Sequence, residues 1–148
     1  MDSTRGLAAD PDLGQALLAD DPAVRALGAS VAVTRLGAAT ARMPTSTHHG
    51  NGRGIVHGGY VFAIADTAFA YAMNSHGRTG VSVHADIAFL RPARAGAELT
   101  ASAAERSFDG RAGIYDVEVR DDAGQLLAEI RIHGRVPTGS SPRQEEER

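Results

Sequence analysis

The chain contains no cysteine, no lysine and no tryptophan. Without cysteine there is no disulfide framework, no thiolate nucleophile and no Cys-ligated zinc or iron–sulfur cluster. Without lysine, a Schiff-base enzyme, a pyridoxal phosphate site and a phosphate loop ending in Gly-Lys-Ser/Thr are all excluded. All 15 basic residues are arginine, and the formal net charge is only -3. That balance offers no concentrated basic face for nucleic acid. The opening MDSTRGLAADPDLG has no apolar run behind a basic start, so no signal peptide is expected. No apolar run reaches the roughly 20 residues that span a bilayer. A soluble, cytoplasmic protein without a membrane partner is the expectation.

What is present suits one domain. At 148 residues, 43% of them hydrophobic, the chain can bury a core without staples. Leu13, Leu17, Leu18, Val24 and Leu27 have helical spacing interrupted at Asp21-Pro22, which predicts an N-terminal helical segment over residues 1–28. Val31 to Met43, rich in small and β-branched residues, reads as a strand with an irregularity near Leu36-Gly37. A polar, glycine-rich loop follows over residues 44–54. The stretch at residues 60–77 is apolar around its whole circumference, which predicts a helix surrounded by protein and ended at Gly77.

Four period-2 segments come next. Val81, Val83, Ala85, Ile87 and Phe89 are expected on one face, with Ser82, His84 and Asp86 on the other. Leu99, Ala101 and Ala103, then Tyr115, Val117 and Val119, then Ala128, Ile130, Ile132 and Val136 repeat the pattern. Short turns between them imply antiparallel neighbours. The polar tail at 138–148 reads as disordered. The outline is an α+β domain at residues 29–137: one apolar helix against the greasy face of an antiparallel sheet.

The chemistry concentrates in residues 51–77. Gly58-Gly59 stands where the helix begins, and unpaired N–H groups at a helix start can hold a developing oxyanion. Asp66 is the lone carboxylate of the helix, and apolar surroundings raise a carboxylate's pKa. It lies seven residues past Gly59, about two turns, on the stripe that includes Phe62, Ala63, Ala70 and Asn74. On these features alone, a structural carboxylate pairing with loop N–H groups or an arginine is equally open. Six histidines are present, among them His48-His49, His57, His76, His84 and His133, but no metal-ligand spacing joins them.

The order Asn51, five residues, His57-Gly58-Gly59, six residues, Asp66, on a helix reading ADTAFAYAMNSHG, resembles the hotdog-fold acyl-coenzyme A thioesterases. Within them it is most similar to the phenylacetate-degradation (hydroxyphenylacetyl-CoA) branch. The resemblance spans about residues 25–136 and includes F-L-R-P followed by G-x-x-L in VSVHADIAFLRPARAGAELTASA. It implies a curved antiparallel sheet wrapped around one long helix, two protomers joined edge to edge, and dimers that pair into a homotetramer. Each active site would lie between protomers.

The resemblance further implies Asp66 as catalytic nucleophile or base, and Gly59 with Gly58 as the backbone donors that polarise the thioester carbonyl. Asn51 would orient water or the carbonyl, and His57 would support the loop. Phe62, Ala63, Thr67 and Asn74 would line the acyl pocket, and Arg53, Arg91 and Arg94 are candidates for the CoA phosphates. No cofactor or metal is required, because CoA is part of the substrate and thiolate is a good leaving group. Arg53 departs from the histidine or neutral residue usual in the branch, and Ala97-Glu98 replaces its Gly-Asp. The alternatives are a thioesterase for other aryl or medium-chain acyl-CoAs and a non-catalytic acyl-CoA sensor on the same fold.

Overall fold

The computed structural model describes residues 21–138. The expected helical piece around Leu13 to Leu18 and the tail from residue 139 lie outside them. Asp21 caps a short helix, α1 (Pro22–Ala26): its carboxylate accepts from the Val24 N–H at 3.1 Å, and Pro22 occupies the first helical position. Six strands follow: β1 (Ser30–Arg35), β2 (Ala38–Pro44), β3 (Val81–Phe89), β4 (Glu98–Phe108), β5 (Ala112–Arg120) and β6 (Leu126–Arg135). Between β2 and β3 lie a single 3-10 turn (Thr47–His49) and the helix α2 (Gly58–Asn74).

The run Val31–Met43 is not one strand. It folds back at Leu36-Gly37 into an antiparallel hairpin, with Arg35 opposite Ala38 and Gly37 at φ +77°. A positive φ is cheap for glycine alone, so the irregularity seen in the sequence is a reversal of direction. All pairings are antiparallel, in the order β1-β2-β4-β5-β6-β3. The three alternating segments of β4, β5 and β6 bury their apolar set as expected: Leu99, Ala101, Tyr115, Val117, Val119, Ala128 and Ile132 are at most 1% exposed.

α2 lies on that face. Ile64, Ala65, Ala68, Phe69, Ala72 and Met73 are buried against the sheet, each large side chain contributing about 1.5–3 kcal/mol. The fit leaves no room for a Cβ on β6 at Gly134, where it would stand 2.7 Å from Phe69 Cζ and closer still to Met73. At the helix's C-terminal end, Glu105 Oε1 accepts from the Tyr115 hydroxyl at 2.7 Å and meets His76 Nε2 at 2.6 Å. Burial pushes the Tyr115 pKa up. Asn74 Oδ1 accepts from the Gly80 N–H at 2.8 Å, fixing the entry into β3.

Two features differ from the expectation of a helix enclosed on all sides and a strand with one greasy face. First, Phe62, Ala63, Asp66, Thr67, Ala70 and Asn74 form a stripe of α2 that stays half-open within one chain. Second, β3 is an edge strand exposed along nearly its whole length: Val81, Val83 and Phe89 are 47%, 54% and 57% exposed. Its register also slips between Ser82 and His84. That bulge inserts one extra residue and reverses the alternation. Ser82 pairs with Gly134 and therefore shares the helix-facing side of the sheet, opposite to the period-2 expectation; Ala85 and Ile87 pair with Ile132 and Ile130 on that same side.

Candidate active site

The loop before α2 is a closed structure. The Asn51 N–H donates to the Ile55 carbonyl at 2.7 Å, and the His57 N–H donates to the His49 carbonyl at 2.8 Å. Asn51 Oδ1 accepts from the Arg53 N–H at 2.8 Å and the Ile55 N–H at 3.2 Å, an Asx turn that pins this oxygen. The side-chain Nδ2 of Asn51 is left as a donor in an exposed position.

His57 is the N-cap of α2, and its Nδ1 accepts from the Gly59 N–H at 3.1 Å. The Gly59 donor, expected to serve a carbonyl, is thus engaged by the cap in this structure. Gly58, one residue earlier, has no backbone partner among the described residues. The ring of Phe89 packs closely over it: a Cβ there would stand 3.1 Å from Phe89 Cζ. Asn51, His57, Gly58, Val61, Phe89 and Arg91 line one groove of about 480 Å3, which puts the N–H of Gly58 and the amide of Asn51 on a common opening.

Asp66 sits further along the half-open stripe of α2. Its Oδ1 is buried and has no hydrogen-bond partner among the described residues. Burial raises its pKa above the ordinary 3.8, and a hydrogen bond from Ser82 partly opposes the rise. The bulge in β3 is what brings Ser82 there. Sequence reasoning missed Ser82 because strict alternation turns it the other way; only the tertiary register places it beside the helix.

A carboxylate buried and incompletely satisfied costs stability, and such groups concentrate at functional sites. Eight residues separate Gly58 from Asp66, about 12 Å along a helix axis. The side chain's lean toward the helix start recovers only part of that. One carbonyl carbon within about 3 Å of both groups is therefore out of reach inside a single protomer.

The thioesterase superfamily model matches residues 53–128, which include Gly58 and Asp66. The chain belongs to the thioesterase superfamily. It is 38% identical to the acyl-coenzyme A thioesterase PaaI of Escherichia coli (strain K12), over 78% of this chain and 83% of that protein. Its fold superposes on the E. coli PaaI protein of the phenylacetic acid degradation operon with a TM-score of 0.83 and 35% identity, covering 87% and 94% of the two chains. A mutant of phenylacetic acid degradation protein PaaI from Thermus thermophilus gives 0.74 and 33%, covering 79% and 100%. The hotdog fold expected from the sequence is the fold of this thioesterase.

The remaining expected residues of the thioesterase fall into two groups. Phe62 and Ala63 lie on the open stripe with Asp66. Thr67 is there too, its hydroxyl donating to the Ala63 carbonyl at 2.7 Å. Asn74 holds Gly80, a structural task at the opposite end of α2 from the groove. Arg53 and Arg94 are exposed, and Arg94 faces the loop through a bridge to Ile55. Arg91 is exposed at the groove and donates to the Leu126 carbonyl at 3.2 Å. Among the described residues no cluster of three or more His, Asp or Glu is arranged to hold a metal ion, and no helix is long and apolar enough to cross a membrane.

Proposed function

We propose that this thioesterase hydrolyses acyl-CoA thioesters, with phenylacetyl-CoA or a ring-hydroxylated phenylacetyl-CoA as substrate, releasing the free acid and CoA. The observation that carries the reading is Asp66, a carboxylate whose pKa burial raises, on the open stripe of α2, with one oxygen lacking a partner among the described residues. The substrate class follows from likeness to E. coli PaaI.

The site works as a homodimer. The exposed β3 edge joins its copy in a second protomer, extending the sheet and covering Val81, Val83 and Phe89. Long apolar edges left open are aggregation templates, and self-pairing removes the liability. Two helices then lie side by side in opposite directions, so Asp66 of one protomer meets the loop of the other. This arrangement resolves the 12 Å gap, since the donor and the carboxylate come from different chains. Pairing of dimers into tetramers is part of the same reading.

In each site the Gly58 N–H and the Asn51 Nδ2 donate to the thioester carbonyl oxygen, with the positive end of the α2 dipole behind them. Asp66 acts on the carbonyl carbon by deprotonating the attacking water, or directly as nucleophile, in which case water afterwards cleaves the acyl-aspartyl anhydride to free acid and restores the carboxylate. Attack moves the carbonyl electron pair onto oxygen, and its collapse expels CoA thiolate, which takes up a proton. His57 holds the helix start, and its ring, accepting at Nδ1, carries its proton on Nε2. Arg91, at the groove, and the exposed Arg53 and Arg94 are the proposed partners of the CoA phosphates. Neither metal nor organic cofactor is asked for.

The test is CoA release from phenylacetyl-CoA, read with a thiol-reactive dye, in wild type and Asp66→Asn. The protein has no cysteine, so the dye reports only product. Turnover by wild type with a fall of at least about 100-fold in the variant supports the reading. A wild type that binds acyl-CoAs but turns none over makes Asp66 a sensing or structural carboxylate, and the reading is wrong.

A further inference from the structure

We infer that His49, which lies outside the expected catalytic set, is a positioning residue for the thioester site. Its imidazole, accepting at Nδ1, locks the loop carrying Asn51 and His57 onto the first turn of α2. The inference rests on the proposed reaction for its kinetic readout but on geometry for its substance.

Residues Ser46 to His49 form a capping box with an unusual closing residue. The Ser46 N–H donates to His49 Nδ1 at 2.9 Å, and Ser46 Oγ accepts from the His48 N–H at 3.3 Å. The closing position of such a box ordinarily holds Glu or Gln, whose side chain accepts whatever the pH near neutrality. Imidazole accepts at Nδ1 only while neutral, with its proton on Nε2. Ser46 Oγ also lies 3.3 Å from Nδ1, so the ring stands against both the amide and the hydroxyl of Ser46.

Three contacts connect this ring to the site. The His49 carbonyl accepts the His57 N–H at 2.8 Å, closing the loop whose turn presents Asn51. The His49 ring packs edge-on against Tyr60, in the first turn of α2, with centroids 4.8 Å apart. His57 in turn caps Gly59 through its own Nδ1, which leaves Gly58 as the free donor. The titratable groups sharing the cavity of about 450 Å3 with His49 are His48, His57 and Tyr60. Among the described residues no carboxylate lines it.

The decisive variant is His49→Gln, which keeps a side-chain acceptor for the Ser46 N–H; His49→Ala removes it. The expected result is a five- to tenfold loss of kcat/KM in His49→Ala, about the effect of a lost cap, and near-wild-type values in His49→Gln at neutral pH. Full activity in His49→Ala, or a loss in His49→Gln as large as that in His49→Ala, overturns the inference.

A second readout is independent of turnover. Nitrogen-15 NMR of the histidine rings at neutral pH is expected to find His49 unprotonated at Nδ1. In His49→Ala the amides of Asn51, His57 and Gly58 are expected to shift, and in His49→Gln to stay near their wild-type positions. An Nδ1-protonated His49, or unmoved amides in His49→Ala, overturns the inference even if no thioester is cleaved. If the wild type is catalytically inert but the NMR behaviour is found, the proposed reaction fails and the positioning role stands.

Discussion

Two inactive variants of this protein should repair each other. Asp66→Asn removes the carboxylate. Asn51→Asp removes the Nδ2 donor but keeps Oδ1, which accepts from Arg53 and Ile55, so the loop retains its turn. Each variant alone is expected to lose about 100-fold or more in kcat/KM. The spacing of eight residues between Gly58 and Asp66, about 12 Å of helix, means that one protomer cannot bring both to one carbonyl. In a mixed dimer one site then receives both defects and the other receives neither. Half of randomly assorted dimers are mixed and half their sites are intact, so about a quarter of wild-type activity should return. Co-expression at equal levels, followed by CoA release from phenylacetyl-CoA, measures it. Mass spectrometry of differently tagged chains verifies that mixed dimers formed. If they have formed and activity stays at the level of the single variants, each site is built within one chain and the composite reasoning is refuted.

Asp66→Asn should also be more heat-stable than wild type at neutral pH. A raised native pKa means that ionisation of Asp66 opposes folding. The advantage of the variant therefore grows as pH rises from the ordinary 3.8 through the raised native value, and is absent below it. Thermal melts at several pH values check the sign, and a variant destabilised at all of them would contradict it. For the same reason the acid fall of activity, which needs Asp66 ionised, should lie above the ordinary carboxylate range. Gly134→Ala should cost about 1–3 kcal/mol by overpacking Met73 and Phe69, read by urea unfolding. Val83→Lys, placing a charge on the exposed β3 edge, should shift the protein toward monomer in ultracentrifugation and lower activity roughly tenfold or more, since a split dimer has no complete site.

The sheet and helix were legible because they rest on periodicity, which needs no knowledge of neighbours. Leu99, Ala101 and Ala103 could be placed inward from alternation alone, and the structure buries all three. The misreadings share a different origin. Gly37 was visible as an irregularity, but among small residues from Ala38 to Ala41 nothing distinguished a kink from a hairpin; the pairing of Val31 with Ala41 decided it. Ser82 falls on the wrong face by alternation because a bulge is set by the partner strand's register and leaves no mark in the pattern.

Helical phase groups Thr67 and Asn74 with Asp66 on one stripe, but phase fixes a direction and not a partner: their hydrogen bonds with Ala63 and Gly80 are visible only in the fold. Phase also puts Asp66 on the stripe of Gly59, correctly, and this hides the more useful quantity. A helix converts sequence spacing into length as reliably as into direction. The interval between the Gly58 donor and the Asp66 carboxylate is too long for one chain to close around a single carbonyl. The same numbers that mark this stretch as a site therefore argue that two chains make it, and the unpaired β3 edge with its exposed Val81, Val83 and Phe89 is where the second would join.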